Sequence, residues 1–366
     1  MVALFSLICA ALSFVDFAPK VAHQESGEKV KARALEVDNE HVRHLGLVTE
    51  GFQLLKLEIL DGSHAGEVFT AQNMLRSQMD LDKEFKVGDI VLAGIRDGAR
   101  PGVDMINAQD HYRTDWTIWL FALFALLLIA FGGFTGLKAL LSFFFTCMVI
   151  WKIELPLCLL GWNPILLSFG IVTMLTAAII FIVAGINRKG AAAFTGGMSG
   201  VAASCVMAFV FTHLFRINGA TMPYSQALLY SGYSSLNLAD IYIGAVFLAA
   251  SGALMDLAMD VAAGMAEVLK ANPEIGRRKL ILSGLSIGRS VVGTMTTTLL
   301  LAYSGGYLTL MMAFTAQGVG LEDFINNPYV ATELVKTIIG SFGLVLVAPL
   351  TALAGGFILR PSCRTD

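Results

Sequence analysis

The sequence predicts a polytopic α-helical membrane protein with a small β-rich domain outside the membrane. Of the 366 residues, 56% are hydrophobic and only 14% are charged, whereas soluble domains contain about 25% charged residues. Apolar runs long enough to span a bilayer recur after residue 115. Residues 19–113 contain no such run and hold twelve of the 25 lysines and arginines. We therefore expect an external domain over 19–113 and a membrane domain over 114–366.

The external domain is predicted to be a barrel or sandwich. The stretch "QLLKLEILDGSHAGEVFTAQN" contains an Asp61-Gly62 turn between two segments in which polar and apolar residues alternate. This pattern is typical of two paired strands. The run "KVKARALEV" adds a further strand, and Gly88-Asp89 marks a turn before another strand in "KVGDIVLAGI". About 90 residues are just enough for an independent core.

The membrane domain is predicted to contain about seven core helices, preceded by one N-terminal helix. The N-terminal apolar run is short, and we expect residues 1–18 to be an anchor or a signal. Seven longer apolar runs follow, each close to the length of a membrane span. They cover residues 116–134, 138–156, 163–187, 191–214, 239–262, 280–303 and 334–358.

The distribution of basic residues predicts the orientation of the helices. Cytoplasmic loops carry an excess of lysine and arginine, which places the external domain outside the cytoplasm and the C-terminus inside it. A further apolar run, 306–316, is short for a span, and a crossing there would reverse the C-terminus. We expect an interfacial or re-entrant segment instead. The basic residues that set this orientation are Lys138, Arg188, Lys189, Arg277, Arg278, Lys279, Arg360 and Arg364.

Three acids lie within one of the most apolar parts of the chain. In "GALMDLAMDVAAGMAEV", residues 252–268, Asp256, Asp260 and Glu267 fall on one stripe of a helix that turns about 100° per residue. The next predicted helix, "SGLSIGRSVVGTMTTTLLLAY", contains Arg289. Asp260 and Arg289 lie at similar distances from the turn "ANPEIGRRK". An antiparallel hairpin is therefore predicted to bring Arg289 against Asp260, with Asp256 within reach.

Energetics favours a partner for charges at this depth. An isolated charge at the centre of a membrane helix costs on the order of 3 kcal/mol. Glu267 is near enough to the cytoplasmic interface to need no partner. One interpretation is a structural ion pair that fixes the helix register. The other is a proton or ion relay formed by Asp256, Asp260 and Arg289, and two acids for one base favour it.

The helix that carries Arg289 has other polar residues that are predicted to line a pathway. On this helix Ser286, Arg289, Gly293, Thr296 and Tyr303 are spaced by three, four and seven residues, as expected for one helical side. Glu333, just before the last apolar run, is predicted either to guard a pathway mouth or to cap the start of a helix. The predicted pathway-lining residues are Ser286, Gly293, Thr294, Thr296 and Tyr303.

Several function classes find no support in the sequence. Ser199 lies in a Gly-x-Ser-Gly stretch, but His213, the only histidine of the membrane part, is fourteen residues along the same helix. We therefore expect no enzyme. The cysteines have no metal-binding spacing and the histidines of the external domain are scattered, so we expect neither metal nor cofactor. A net charge of −3 is too small to suggest a nucleic-acid partner, and there is no basic stripe, so we expect none.

Residues 120–358 resemble the YibE/F family of bacterial integral membrane proteins. The resemblance rests on "GALMDLAMDVAAGMAEV", "SGLSIGRSVVGTMTTTLLLAY" and "ELVKTIIGSFGLVLVAPLTALAG". It implies a multi-pass protein of the bacterial inner membrane, without implying a settled activity. The chain departs from the family pattern at Ser290, where a second Asp is usual, and at Asp260, where a small polar residue is usual. The resemblance implies family motif positions at Asp256, Arg289, Gly293, Thr294, Thr296, Thr298 and Glu333.

Two functions are consistent with these patterns. The first is a transporter or channel for a small solute or ion, in which Asp256, Asp260 and Arg289 couple transport to a proton or ion. The alternative is a non-transporting scaffold or accessory subunit whose external domain binds an envelope or export partner. We expect the lipid bilayer as one partner, together with an unidentified solute or ion and a protein partner or second copy of the chain.

Overall fold

A computed structural model describes residues 27–96, 99–102 and 104–359. These residues form two compact units that divide at Leu127. The predicted anchor over residues 1–18 lies outside the described residues, as do Arg360 and Arg364.

The first unit contains a barrel-like β domain. Its sheet order is β1-β5-β6-β4-β3-β2, and β1 also pairs with β3, which closes the sheet on itself. All neighbours are antiparallel except β4 and β6, which are parallel. The strands are β1 Gly27–Asp38, β2 Val42–Leu45, β3 Val48–Ile59, β4 Val68–Arg76, β5 Ile90–Arg96 and β6 Met105–His111.

The strand predictions for this domain are confirmed. The predicted hairpin corresponds to β3 and β4, in which Leu55 lies opposite Ala71. Gly88 adopts a φ of 93°, which favours glycine, at the predicted turn before β5. Alternate residues of each strand point inward, and Leu57 and Phe69 are fully buried in the resulting core.

An ion pair joins the β domain to the start of the first helix. The ammonium of Lys31 on β1 donates to the carboxylate of Asp115, which lies in the first turn of that helix. A carboxylate in the first turn also interacts favourably with the helix dipole. The hydrogen bond to Asp115 raises the pKa of Lys31.

Six helical segments of the described chain are long and apolar enough to cross a membrane. They establish a helical membrane protein with an N-terminal β domain. The segments are α1 Thr114–Val149, extended by a π-helical turn over Ile150–Glu154 and by α2 Leu155–Leu159, then α3 Pro164–Val183, α4 Arg188–Leu214, α6 Leu238–Ala271, α7 Arg277–Gly306 and α10 Pro328–Ile358. Shorter helices are α5 Ser225–Tyr230, α8 Leu308–Ala316 and α9 Leu321–Asn326.

The first segment accounts for two of the predicted apolar runs. Runs 116–134 and 138–156 join into one helical stretch that is interrupted at Gly133, where φ is 53° and ψ is −127°. A Cβ placed on Gly136 would lie 2.1 Å from the carbonyl oxygen of Leu128. Residues eight apart in a straight helix are separated by about 12 Å. The chain therefore turns back sharply at Gly133.

The short run 306–316 forms the nine-residue helix α8, which has no buried residue. It is not among the six candidate spans, and its length is about half of what a crossing needs. Its position relative to the bilayer stays a prediction.

Helix α6 is at the centre of the helical core. It packs against α3, α4, α7 and α10, and its side chains Phe247, Leu254 and Val261 are fully buried. The α4–α10 contact is a glycine seam, in which Cβ atoms on Gly196 and Gly200 would meet Thr351 and Val347 at 2.1–2.9 Å. Small residues of this kind allow membrane helices to approach closely. The "GGMSG" stretch is therefore continuous helix and a packing surface.

We expect Gly196→Ala to destabilise the helical core. The added Cβ would lie 2.5 Å from the Cα of Thr351, so the two helices must separate, at a cost of about 1–3 kcal/mol. Gly170→Ala is the control, because Gly170 is an exposed helical glycine with nothing within 4 Å. Thermal unfolding in detergent should show a lower midpoint for Gly196→Ala alone. Equal midpoints for both variants would contradict this packing.

Candidate functional site

Asp256 and Asp260 line a groove on one side of α6. Both are near the middle of this 34-residue helix, one turn apart. The floor of the groove is a strip of α6, and its walls come from α3 and α7. The cavity volume is about 480 Å³, and the lining residues are Ile179, Ile180, Val183, Met255, Asp256, Met259, Asp260, Val291 and Met295.

The two carboxylates have no partner in the described chain. Neither Asp256 nor Asp260 forms an ion pair or a side-chain hydrogen bond with residues 27–96, 99–102 or 104–359. Both are exposed at the surface of the helical unit, and every other residue lining the groove is apolar. The strip continues along α6 as small, exposed residues, Ala245, Ala249 and Gly252. Nothing within 4 Å would meet a Cβ on Gly252. The groove thus combines two carboxylates with an uncovered small-residue surface.

The structure does not bring Arg289 to the acids. The predicted α6–α7 hairpin forms, but its register places Ile287 against Gly264. Val291, one turn further, lines the groove. At about 100° per residue, Arg289 is directed about 160° away from Val291. It is exposed and, like the acids, makes no ion pair or side-chain hydrogen bond to any part of the chain that the structure describes.

The residues predicted to line a pathway belong mostly to the outward face of α7. Ser286, Gly293 and Thr294 are exposed, and Thr296 is half-buried, with its hydroxyl donating to the carbonyl of Val292. None of them lines the groove that contains Asp256 and Asp260. These residues form a polar face that is directed away from α6, and their role in lining a pathway stays a prediction.

Tyr303 and Glu333 belong to a second polar cluster, between α7 and α10. The ammonium of Lys336 donates to the carboxylate of Glu333 at 2.9 Å and lies 5.4 Å from the centroid of the Tyr303 ring. The cap of α10 is Asn327, whose side chain accepts from the backbone N–H of Tyr329. Glu333 is therefore not the helix cap, because it lies beyond the first turn. A role at a pathway mouth stays a prediction.

A buried carboxylate, Glu154, was not predicted from the sequence. This residue ends the π-helical turn after α1 and is 6% exposed. The hydroxyl of Ser168 donates to Oε1 at 2.8 Å, whereas Oε2 is buried without a hydrogen bond to the described residues. Intramembrane acids and π-helical turns both occur often at functional sites. The signal was present in "WKIELPL", where the charged residues Lys152 and Glu154 lie inside an apolar run.

The arrangement at the groove limits its chemistry. Among the described residues, no group of three or more histidine, cysteine, aspartate or glutamate side chains could hold a metal ion. Ionised carboxylates only accept hydrogen bonds, so the pair can take up protons or attract a cation. The apolar walls lower the local dielectric constant and strengthen any such interaction.

Comparisons with known proteins agree with the resemblance noted from the motifs. No curated protein and no solved structure matches the chain significantly. A family model described as YibE/F-like protein matches residues 120–361, which include α3, α4, α6, α7 and α10, together with Asp256, Asp260 and Arg289. The match covers well over half of the sequence, and the chain therefore belongs to the YibE/F-like family.

Proposed function

We propose that this protein is a transporter or channel for a small solute or ion, with Asp256 and Asp260 as its proton or ion coupling site. The observation that carries the proposal is the position of both carboxylates near the centre of a membrane helix, inside a groove of about 480 Å³ with otherwise apolar walls. A charge at that depth is costly, and intramembrane acids commonly mark ion pathways or proton relays. Arg289, which the sequence predicts as the cationic member of this site, does not line the groove within one chain.

The orientation that we propose follows the charges at the helix ends. Arg188 and Lys189 begin α4, and Arg277, Arg278 and Lys279 begin α7. The positive-inside rule assigns both ends to the cytoplasm of a bacterial inner membrane. If the reversal at Gly133 separates two spans, the core has seven crossings, and the C-terminus is cytoplasmic and the β domain extracytoplasmic.

The scaffold alternative has one observation in its favour, an exposed apolar patch on the β domain. Leu47 is 85% exposed and Met79 is 69% exposed. They border a depression of about 170 Å³ that also contains Asp82 and Glu84. Exposed apolar patches with polar rims are typical of protein interaction sites. Under this alternative the purified protein would move no ion across a bilayer.

Ion movement in proteoliposomes tests the transport proposal. The full chain is reconstituted with a pH-sensitive dye inside the vesicles, and gradients of protons, sodium or potassium are imposed in turn. We expect wild-type protein to dissipate at least one gradient. Asp256→Asn should lower the rate of dissipation on the order of tenfold or more, because an amide cannot take up the proton.

Glu267→Gln is the matched control for this experiment. Glu267 lies on the same helix but is exposed near its end, where it pairs with Lys270 at 3.8 Å. Its loss should leave the rate unchanged. Equal rates for wild type, Asp256→Asn and Glu267→Gln in every gradient would exclude Asp256 as the coupling site.

A further inference from the structure

The outward face of α7 is unusually polar for a membrane helix. Only 11% of its most apolar stretch is buried, compared with 56% for α6. Four hydroxyl groups on this face, those of Ser290, Thr294, Thr297 and Thr298, donate to carbonyl groups of their own helix. Arg289 is different, since its guanidinium has five N–H donors and no partner in the described chain. The exposed polar residues of this face are Ser286, Arg289, Ser290, Thr294, Thr297 and Thr298.

The charges that lack partners are complementary. Near the middle of the membrane helices, each copy exposes the guanidinium of Arg289 and, in the groove, the carboxylates of Asp256 and Asp260. Asp260 precedes the end of α6 by about as many residues as Arg289 follows the start of α7. Since the two helices form an antiparallel hairpin, the charges lie at similar depths in the membrane. Depth is unchanged by a twofold axis along the membrane normal.

The positions of the charges around α7 also suit twofold symmetry. The groove adjoins one flank of the exposed face, next to Val291, and Arg289 lies at the opposite flank. When two copies meet face to face about a twofold axis, the flank of α7 next to Val291 in one copy faces the flank that carries Arg289 in the other copy. Arg289 of each copy therefore faces Asp256 and Asp260 of the other.

We propose that the protein forms a twofold dimer through the outward face of α7, in which Arg289 of each copy enters the groove of the other. The small residues Ala245, Ala249 and Gly252 leave room on α6 for a helix to approach. The cluster predicted from the sequence thus forms between two copies instead of within one. The proposal uses the acids of the proposed coupling site, but it requires no transport activity.

Cysteine cross-linking in native membranes tests the interface. In a full-length chain whose own cysteines are replaced by alanine, Thr297→Cys lies at the middle of the outward face of α7 and should form a disulfide-linked dimer under mild oxidation. Val206→Cys is the matched control, because Val206 is 62% exposed on α4 at a similar distance from the predicted cytoplasmic end. Cross-linking of Thr297→Cys no greater than that of Val206→Cys would overturn the proposal.

Charge exchange between copies tests the pairing itself. In the Thr297→Cys chain, Arg289→Glu or Asp260→Arg alone should lower cross-linking about tenfold, since breaking a desolvated charge pair costs more than a tenfold change in affinity. Co-expression of the two variants, each with its own tag, restores both contacts in the mixed dimer and should recover cross-linking between the tags. Arg278→Glu, the same change at the exposed start of α7, should have no effect.

Two outcomes of this experiment would overturn the pairing. The first is that co-expression does not recover cross-linking between the tags, although both variants reach wild-type levels in the membrane. If either variant does not accumulate, Arg289→Gln and Asp260→Asn are used instead. The second outcome is then that neither of these two variants lowers the cross-linking of the Thr297→Cys chain. The ion-flux measurement tests only the proposed function, whereas cross-linking tests only the dimer. Failures of the two proposals are therefore distinguishable.

Discussion

The cost of placing charged side chains in a bilayer constrains the membrane domain of this protein more than any other factor. Asp256, Asp260 and Arg289 each lie near the middle of a long helix, where an isolated charge costs on the order of 3 kcal/mol. None of them has an ion-pair partner within the part of the chain that the structure describes. A second copy and a transported ion each provide a way to meet this cost, and both use the same groove.

Packing on the other sides of α6 keeps this groove open. The face of α6 opposite the acids is buried against α4 and α10, with Leu254 and Val261 fully enclosed. Gly196, Gly200 and Gly343 bring α4 and α10 close together behind α6. Helix α7 packs against the same core at Gly284 and Gly288. These contacts use one side of α6 and leave the strip with Asp256 and Asp260 uncovered between α3 and α7.

Local patterns in the sequence predicted most of the fold. Alternating residues identified β3 and β4, a turn signal identified β5, and apolar runs identified the long helices, because each signal depends only on neighbouring residues. The rotation of α7 about its axis was not predicted, since it depends on which small residues meet across the hairpin. Ile287 against Gly264 sets that rotation, and it directs Arg289 away from α6. Gly284 and Gly288, four residues apart, were the available signal for the packed face.

The two carboxylates show the same difference between what neighbouring residues determine and what the packing of several helices determines. The sequence predicted correctly that Asp256 and Asp260 share a side of one helix, because the spacing of four residues determines it. It did not predict the groove, which needs three helices in their folded positions. Glu154 was missed because the apolar run around it is predicted as an ordinary span, whereas its burial depends on Ser168 and the start of α3.

The most direct test of the central claim, that a guanidinium from another copy meets these acids, is a distance measurement in a bilayer. The full-length protein carries a single nitroxide at position 297 and is placed in lipid nanodiscs. Double electron–electron resonance then measures the distance between the nitroxides of two copies. The dimer predicts an inter-spin distance below about 25 Å, since packed helices lie about 8–10 Å apart, and Arg289→Glu should abolish that signal. Absence of dipolar coupling in the unmutated protein, or a short distance that Arg289→Glu leaves unchanged, would contradict the account.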